Sequence, residues 1–183
     1  MPGFDIESFR AKFQAGARGY LFYVKPIFPL SVPGADTDQA IYLVRSASLP
    51  EATNEEILIQ WQGFDYKMAG KRTYATWEIT FNIDQDANLL QWYHEWSRVI
   101  LDPTTNIHGS PIDYMVDQQV ELLGLDGEPI LKYKMVGAWP SSVGAVTLDY
   151  GTADVAQFPV TFTYQYFVVD RGVSYQSAPS FAS

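Results

Sequence analysis

Carboxylate side chains near the middle of the chain are the first candidates for chemistry. Asp84 and Asp86, close in sequence to Glu78 and Asp102, could form a carboxylate pair for acid–base catalysis or for holding a divalent metal ion. The two aspartates also stand where a helix is expected to start. A carboxylate there accepts hydrogen bonds from backbone N–H groups that lack an intrahelical partner. We expect helix capping rather than catalysis.

Histidine, cysteine and serine give no further catalytic or metal-binding pattern. The two histidines, His94 and His108, have no partner at the spacing of a metal site. The chain has no cysteine, which excludes disulfides, thiolate catalysis and cysteine-based zinc sites. No serine lies in a G-x-S-x-G elbow, and no P-loop or G-x-G-x-x-G segment is present. We therefore expect no enzymatic activity, no metal and no cofactor.

Three basic residues, Lys67, Lys71 and Arg72, cluster around a predicted turn at residues 69–72. They could bind phosphate, but a solvated turn or a contact to an acidic neighbour is the interpretation we favour. The formal net charge of the chain is −9. Sequence-independent binding of nucleic acid depends on Lys and Arg side chains that neutralise phosphates, so this charge argues against it.

The clearest elements are a strand and the amphipathic helix that follows it. Apolar and polar residues alternate over residues 75–83, which is typical of a strand with one buried face. From about residue 86 to 101 the apolar residues recur at spacings of three and four, as on one side of a helix. Both surfaces are rich in aromatic residues, so we predict that they pack on each other. The predicted contacts join Trp77, Ile79 and Phe81 to Leu89, Trp92 and Trp96.

A β-hairpin is predicted around Asp126-Gly127, a dipeptide that favours two-residue turns. Its strands would cover residues 115–125 and 130–138. In this register Glu121 faces Lys132, Leu122 faces Leu131 and Val120 faces Tyr133, so charge meets opposite charge and apolar meets apolar. Pro129 would then lie opposite Gly124.

The other segments are predicted to be mainly short strands. These strands cover residues 20–25, 39–48, 57–61, 64–68, 146–150 and 158–168, the last with an irregularity at Pro159. Between them lie a Pro-rich loop at 26–38, a hairpin around Gly63, and a stop at Trp139-Pro140 followed by a turn at 141–144. No segment approaches the roughly eighteen apolar residues of a transmembrane helix, and no signal peptide is expected.

These elements predict one domain over residues 1–183. The expected fold is mainly β: an antiparallel β-barrel, or two packed sheets, with one amphipathic α-helix at about residues 86–101. A short helix is expected over residues 4–13. The N-terminal segment 1–18 and the C-terminal tail 170–183 are expected to be flexible.

Several separated motifs resemble the major tail tube proteins of T4-like contractile bacteriophages. The motifs are Ser48-Leu49-Pro50, Gly70-Lys71-Arg72-Thr73-Tyr74, Trp77-Glu78-Ile79-Thr80, Gly137-Ala138-Trp139-Pro140-Ser141-Ser142-Val143-Gly144 and Leu148-Asp149-Tyr150. They agree in order and spacing over about residues 40–169. Lys71 stands where the family usually has Asp, which changes the local charge.

The resemblance implies a structural virion protein that forms hexameric rings, with the sheets of neighbouring subunits joined into one barrel. The rings would stack into a tail tube inside a contractile sheath, assembled in the host bacterial cytoplasm. The implied partners are other copies of the chain, the tail sheath, baseplate and tail terminator proteins, and, inside the lumen, the tape measure protein and genomic DNA without specific binding. No membrane insertion is implied. An acidic lining would repel DNA phosphates and let the genome slide.

Two other functions remain open from the sequence. The chain could be a tube-initiating baseplate protein, or the inner tube of a contractile injection or type VI-like secretion system. A more remote alternative is a ligand-binding β-barrel that uses its aromatic residues to hold a carbohydrate.

Two sets of residues are candidates for assembly. The first set, predicted to touch a neighbouring ring or subunit, is Gln62, Gly63, Phe64, Asp65, Tyr66, Lys67, Gly70, Lys71 and Arg72. The second set, predicted to face the lumen, is Asp117, Gln119 and Glu121. The N-terminal segment and the Pro-rich loop are also expected to face neighbouring subunits.

Overall fold

A computed structural model describes residues 6–13, 16–151 and 153–171 of the 183-residue chain. From residue 172 onward, the tail that was predicted to be flexible lies outside the described residues. So do residues 1–5 and 14–15 of the N-terminal segment. Asp170 and Arg171, which were assigned to the tail, are instead the last two residues of a strand.

The described residues are mainly β, as predicted. Their helices are α1 (Ile6–Phe13), α2 (Thr37–Leu43), α3 (Asn88–Ile100) and α4 (Pro111–Tyr114). Their strands are β1 (Phe22–Lys25), β2 (Val44–Ala47), β3 (Ala52–Trp61), β4 (Phe64–Tyr74), β5 (Trp77–Asn82), β6 (Leu101–Asp102), β7 (Ile107–His108), β8 (Val116–Leu123), β9 (Pro129–Val143), β10 (Gln157–Thr163) and β11 (Tyr166–Arg171).

Strand β9 joins two antiparallel four-stranded sheets. Its first half pairs with β8 and β11, which gives the strand order β1-β8-β9-β11, called here the β8 sheet. Residues Trp139–Val143 pair instead with β10, which gives the order β9-β10-β5-β2, called here the β5 sheet. The strand changes partners next to a bulge at Gly137, whose φ of +62° is a conformation that favours glycine.

The core lies where α3 packs on the β5 sheet, which confirms that the strand and the helix share one core. Of the helix residues predicted to meet the strand, Leu89 and Trp96 are buried in this core, whereas Trp92 is only partly buried and its ring contacts Phe28 of the Pro-rich loop (5.9 Å). Trp77, Ile79 and Phe81 are fully buried. From the helix, the Tyr93 ring lies 5.3 Å from that of Phe81, and the Trp96 ring contacts β10. Aromatic rings at these separations contribute attraction beyond the area they bury. The aromatic residues proposed for a remote ligand-binding role are therefore largely part of the core.

The helix start confirms the capping role of Asp84. Its carboxylate accepts hydrogen bonds from the backbone N–H groups of Asn88 (3.2 Å) and Leu89 (3.4 Å). It also accepts one from the Gln39 side chain. Because these bonds satisfy N–H groups that have no intrahelical partner, they favour a helix start at residue 88 rather than 86.

The hairpin around Asp126-Gly127 has the predicted register over most of its length. Glu121 pairs with Lys132, Leu122 with Leu131 and Val120 with Tyr133. The prediction for Pro129 was wrong, because the register shifts after Leu122 and Pro129 pairs with Leu123.

The strand predicted over residues 39–48 was wrong in its first half. Residues 37–43 form helix α2, and only residues 44–47 are a strand. The Asp36 carboxylate caps the helix by accepting hydrogen bonds from the N–H groups of Asp38 (2.9 Å) and Gln39 (3.4 Å). A short helix with a side-chain cap therefore formed where alternation alone suggested a strand.

The C-terminal part also differs from the prediction. Trp139-Pro140 does not end a strand, because Pro140 lies at a register shift between β9 and β10, where its missing N–H is tolerated. The predicted turn at 141–144 is largely strand, and no strand forms over residues 146–150. The predicted strand over 158–168 is two strands, β10 and β11, which are separated by Tyr164 and Gln165.

The Pro-rich loop packs largely on its own subunit. Pro26, Pro29 and Val32 are buried, and the Phe28 ring lies 5.2 Å from that of Tyr93. The loop is tied to the sheet by the fully buried side chain of Gln118. Its amide donates to the Ile27 carbonyl (2.7 Å) and accepts from the Ile27 N–H (3.0 Å).

Replacing this amide tests whether it holds the loop. Gln118→Leu leaves both backbone groups of Ile27 without their partner, so the free energy of unfolding should fall by about 2 kcal/mol in urea titrations. Gln119→Leu, on the opposite face of the same strand, is the control and should change it by less than about 0.5 kcal/mol. Equal effects from the two substitutions would contradict the role of Gln118.

Candidate assembly surfaces

Strands β3 and β4 form a long two-stranded hairpin that pairs with no third strand among the described residues. The sequence predicted only two short segments here. The turn consists of Gln62 and Gly63, with φ values of +48° and +85°. Positive φ at both central residues is the geometry of the tight hairpin turn whose twist matches that of the flanking strands. The prediction of a hairpin around Gly63 is therefore confirmed.

One face of this hairpin is apolar and exposed, and we call it the apolar hairpin face. Cross-strand neighbours share a face, and three consecutive pairs on it are entirely apolar or aromatic. The pairs are Ile57 with Met68, Ile59 with Tyr66, and Trp61 with Phe64. Trp61 is 67% and Phe64 78% exposed. Soluble proteins rarely leave a contiguous surface of this kind uncovered.

The opposite face of the hairpin is mostly polar. Lys67 and Glu56 form an ion pair with a separation of 3.2 Å, and Arg72 Nε donates to the Asn54 side chain at 3.0 Å. Gln60 and Asp65 also form a cross-strand pair on this face. The hairpin is therefore amphipathic, and its polar face is stable in water without a cover.

The predicted turn at residues 69–72 was wrong, because these residues lie inside β4. The register between β3 and β4 shifts between Asn54 and Glu56, opposite Gly70 and Lys71. A Cβ on Gly70 would lie 2.9 Å from Ile57 Cγ1, so the close approach of the strands explains the glycine. Glycine here marks a bulge rather than a chain reversal.

The base of the hairpin is attached to the body by Tyr74. Its ring contacts those of Tyr164 (6.1 Å) and Phe167 (5.5 Å). The residue after it, Ala75, donates a backbone hydrogen bond to Glu51 at the other strand's start. The base is thus fixed, while the side chains between residues 53 and 69 are exposed on both faces.

The structure divides the first predicted contact set into three parts. Gln62 and Gly63 form the turn, Phe64 and Tyr66 lie on the apolar hairpin face, and Asp65 and Lys67 lie on the polar face. Gly70, Lys71 and Arg72 are near the base. Sequence reasoning missed four residues of the apolar face, Ile57, Ile59, Trp61 and Met68. The alternation of apolar residues along β3 was the available signal.

Asp117, Gln119 and Glu121, the second predicted set, lie together on the outward face of the β8 sheet, opposite the core. Buried Gln118 and Val120 alternate with them along β8. The set is separate in the fold from the apolar hairpin face. The structure therefore offers two candidate surfaces, one apolar and one polar.

Ion pairs connect this polar face across its strands. Lys132 Nζ lies 2.6 Å from Glu121 Oε1, and Lys134 Nζ lies 2.9 Å from Asp117 Oδ2. The hydrogen bond to Glu121 raises the pKa of Lys132, and the one to Asp117 raises the pKa of Lys134. Partial burial opposes ionisation of Asp117, but hydrogen bonds from Lys134 and the Gly137 N–H outweigh it and leave the Asp117 pKa lowered.

The residues first considered for chemistry are dispersed or have local structural roles. Asp102 accepts hydrogen bonds from the Thr104 N–H (2.9 Å) and the Thr105 hydroxyl (3.1 Å) in a turn, and the first of these lowers its pKa. His94 is exposed on α3 and His108 is exposed on β7. Among the described residues, no three His, Cys, Asp or Glu side chains are grouped as a metal site would need. No helix in the described ranges has the length and apolar character needed to cross a membrane.

Comparison with known families and proteins agrees with the tail tube resemblance. The family model described as "Phage tail tube protein" matches residues 28–170. The tail tube protein of Serratia phage KSP90 is 26% identical over 172 residues, covering 91% of this chain and 97% of that protein. The tail tube protein of Enterobacteria phage T4 is 25% identical over 126 residues, covering 67% of this chain and 77% of that protein.

Solved structures share the fold. The tube terminating cap of the anti-feeding prophage superposes with a TM-score of 0.65 and 18% identity, covering 86% of this chain and 93% of that chain. A chain of the sheath–tube complex of the extracellular contractile injection system PVC superposes with a TM-score of 0.60 and 15% identity, covering 88% and 97%.

The pH dependence of stability tests the pair of Asp117 and Lys134. A carboxyl pKa below its usual 3.8 adds stability that is present above that value and is lost as the pH falls through the folded-state pKa. A lysine pKa above its usual 10.5 adds stability that is complete below pH 10.5 and is lost as the pH rises through the folded-state pKa. In the Asp117→Asn variant the side chain can still accept from the Gly137 N–H, so mainly the charge changes.

We expect Asp117→Asn to lower the free energy of unfolding at neutral pH and to have a smaller effect well below pH 3.8. Urea titrations of wild type and variant at both pH values measure the difference. An equal loss at both pH values would show that the ion pair contributes nothing to stability.

Proposed function

Because the chain belongs to the phage tail tube protein family, we propose that it forms hexameric rings that stack into the tube of a contractile tail. The lumen of this tube conducts genomic DNA into the host. The tube lies inside a sheath between baseplate and terminator proteins, and the tape measure protein occupies the lumen during assembly. The chain is then a component of the virion that is assembled in the host cytoplasm.

The observation that carries the proposal is the apolar hairpin face. Burying a large apolar side chain contributes about 1.5–3 kcal/mol, so covering the exposed part of six such residues, which are on average a little over half exposed, is worth roughly 5–10 kcal/mol. The surface that covers it belongs to a second copy of the chain and is a different part of that copy. When two copies join through different surfaces, each copy still has one of the two surfaces available for a further copy. The contact therefore repeats, and it produces a closed ring or an open stack according to its geometry.

The two edges of the β8 sheet supply the contact within a ring. Among the described residues, β1 pairs only with β8, and β11 pairs only with β9. The four strands alternate in direction, so β11 of one copy and β1 of the next run antiparallel when placed side by side. Joining them gives both edge strands of the β8 sheet a partner and closes that sheet around the lumen.

The identity of the relatives favours the main proposal over an injection system. The matches at 25–26% identity are to tail tube proteins of phages, which favours a tail that carries DNA over an injection system. The likeness to injection-system components lies below 20% identity and concerns the fold. A tube-initiating baseplate protein would form one ring or a short stack, whereas a tail tube protein forms long tubes.

Substitutions on the two faces of the hairpin test the assembly role. Trp61→Gln with Phe64→Gln removes the most exposed part of the apolar hairpin face. We expect a folded protein with unchanged far-UV circular dichroism that no longer forms tubes in negative-stain images. Because both side chains are exposed in the single copy, its melting temperature should shift little.

The matched control changes the polar face at the next cross-strand pair, one residue farther from the turn. Gln60→Ala with Asp65→Ala alters a cross-strand pair next to Trp61 and Phe64 and should assemble as wild type does. Normal tubes from the apolar-face variant, or loss of tubes in the control alone, would contradict the role of the apolar hairpin face.

A further inference from the structure

The outward face of the β8 sheet has no net formal charge, although the chain carries −9. The register of the four strands fixes which residues share this face. Its charged residues are three lysines and three carboxylates: Lys25, Lys132, Lys134, Asp117, Glu121 and Asp170. The acidic excess of the chain therefore comes from residues outside this face.

The charges on this face alternate across the strands. Lys132 on β9 lies between Glu121 on β8 and Asp170 on β11, each directly opposite it in the sheet. The Glu121 side chain is only 13% exposed, so this pair is partly shielded from water. Lys134, one step along β9, is bound by Asp117 on β8. Two of the three lysines are thus held by carboxylates of the same subunit.

We propose that this face lines the lumen as an ion-paired surface, in which Asp117, Glu121 and Asp170 keep Lys132 and Lys134 from binding DNA phosphates. The proposal rests on the proposed function, because it requires a tube with DNA inside. Lysines gain affinity for DNA by replacing the counterions condensed on phosphates. A lysine that is already neutralised by a carboxylate gains little from that exchange.

This mechanism differs from simple repulsion by an acidic wall. Repulsion depends on net charge, and the net formal charge of this face is zero. Here each carboxylate acts only on the lysines next to it. DNA binding should therefore depend on which carboxylates are neutralised and not on the total charge of the subunit.

Neutralising the carboxylates tests this distinction. The lining variant combines Asp117→Asn, Glu121→Gln and Asp170→Asn. The charge-matched control combines Asp38→Asn, Asp86→Asn and Asp154→Asn, three exposed residues outside this face. Assembled tubes of wild type, lining variant and control are incubated with a fluorescent DNA duplex, sedimented, and assayed for retained DNA with and without nuclease.

We expect the lining variant to retain at least about tenfold more DNA than wild type at low salt, and the control to behave as wild type does. The retained DNA should be protected from nuclease, because it lies inside the tube. Its apparent affinity should fall as salt rises, by about 0.9 logarithmic units per logarithmic unit of salt for each phosphate neutralised. If the lining variant does not assemble, Glu121→Gln with Asp170→Asn frees Lys132 alone and carries the same test.

Three results would overturn the proposal. Equal retention by the lining variant and the control would show that total charge governs binding. No gain over wild type would show that the lysines are not held back by these carboxylates. Retained DNA that nuclease degrades would place the face outside the tube. Any of these results, obtained with tubes that assemble, leaves the proposed function standing, whereas a wild-type chain that forms no tubes would refute both.

Discussion

The packing of helix α3 on the β5 sheet is the interaction on which the rest of the structure depends. Phe81, Phe158 and Phe162 of the sheet meet Tyr93 and Trp96 of the helix at ring separations of about 5–6 Å. This single layer of aromatic contacts buries the apolar faces of both elements. The Pro-rich loop then closes over the helix, so the subunit completes its core without the β3–β4 hairpin.

Two surfaces that take no part in the core, the β3–β4 hairpin and the outward face of the β8 sheet, are available for assembly. The hairpin leaves the body at Tyr74 and exposes a continuous apolar surface that no described part of the same chain covers. The outward face of the β8 sheet is instead polar, with lysines and carboxylates paired across its strands. An apolar surface favours association with another protein, whereas a paired polar face stays hydrated, so the two surfaces suit contact and lining respectively.

The sequence was sufficient to predict the elements whose period is long and regular. The alternation in β5, the stripe on α3, the cap at Asp84 and the pairing of Glu121 with Lys132 all depend on local spacing. It failed where tertiary context decides: Pro140 and Gly70 act as bulge residues inside long strands, not as breaks. The predicted β3–β4 hairpin was too short because Gly70 was interpreted as part of a turn. The apolar hairpin face could be identified only from the pairing register of β3 with β4, which shows which side chains share a face.

Self-assembly of the chain can be observed by electron microscopy of the concentrated wild-type protein. Negative-stain images, with the oligomeric state followed by analytical ultracentrifugation, measure the outcome. We expect rings with six-fold symmetry that stack into tubes as the concentration rises. A protein that stays folded and strictly monomeric at the highest attainable concentration would contradict this expectation.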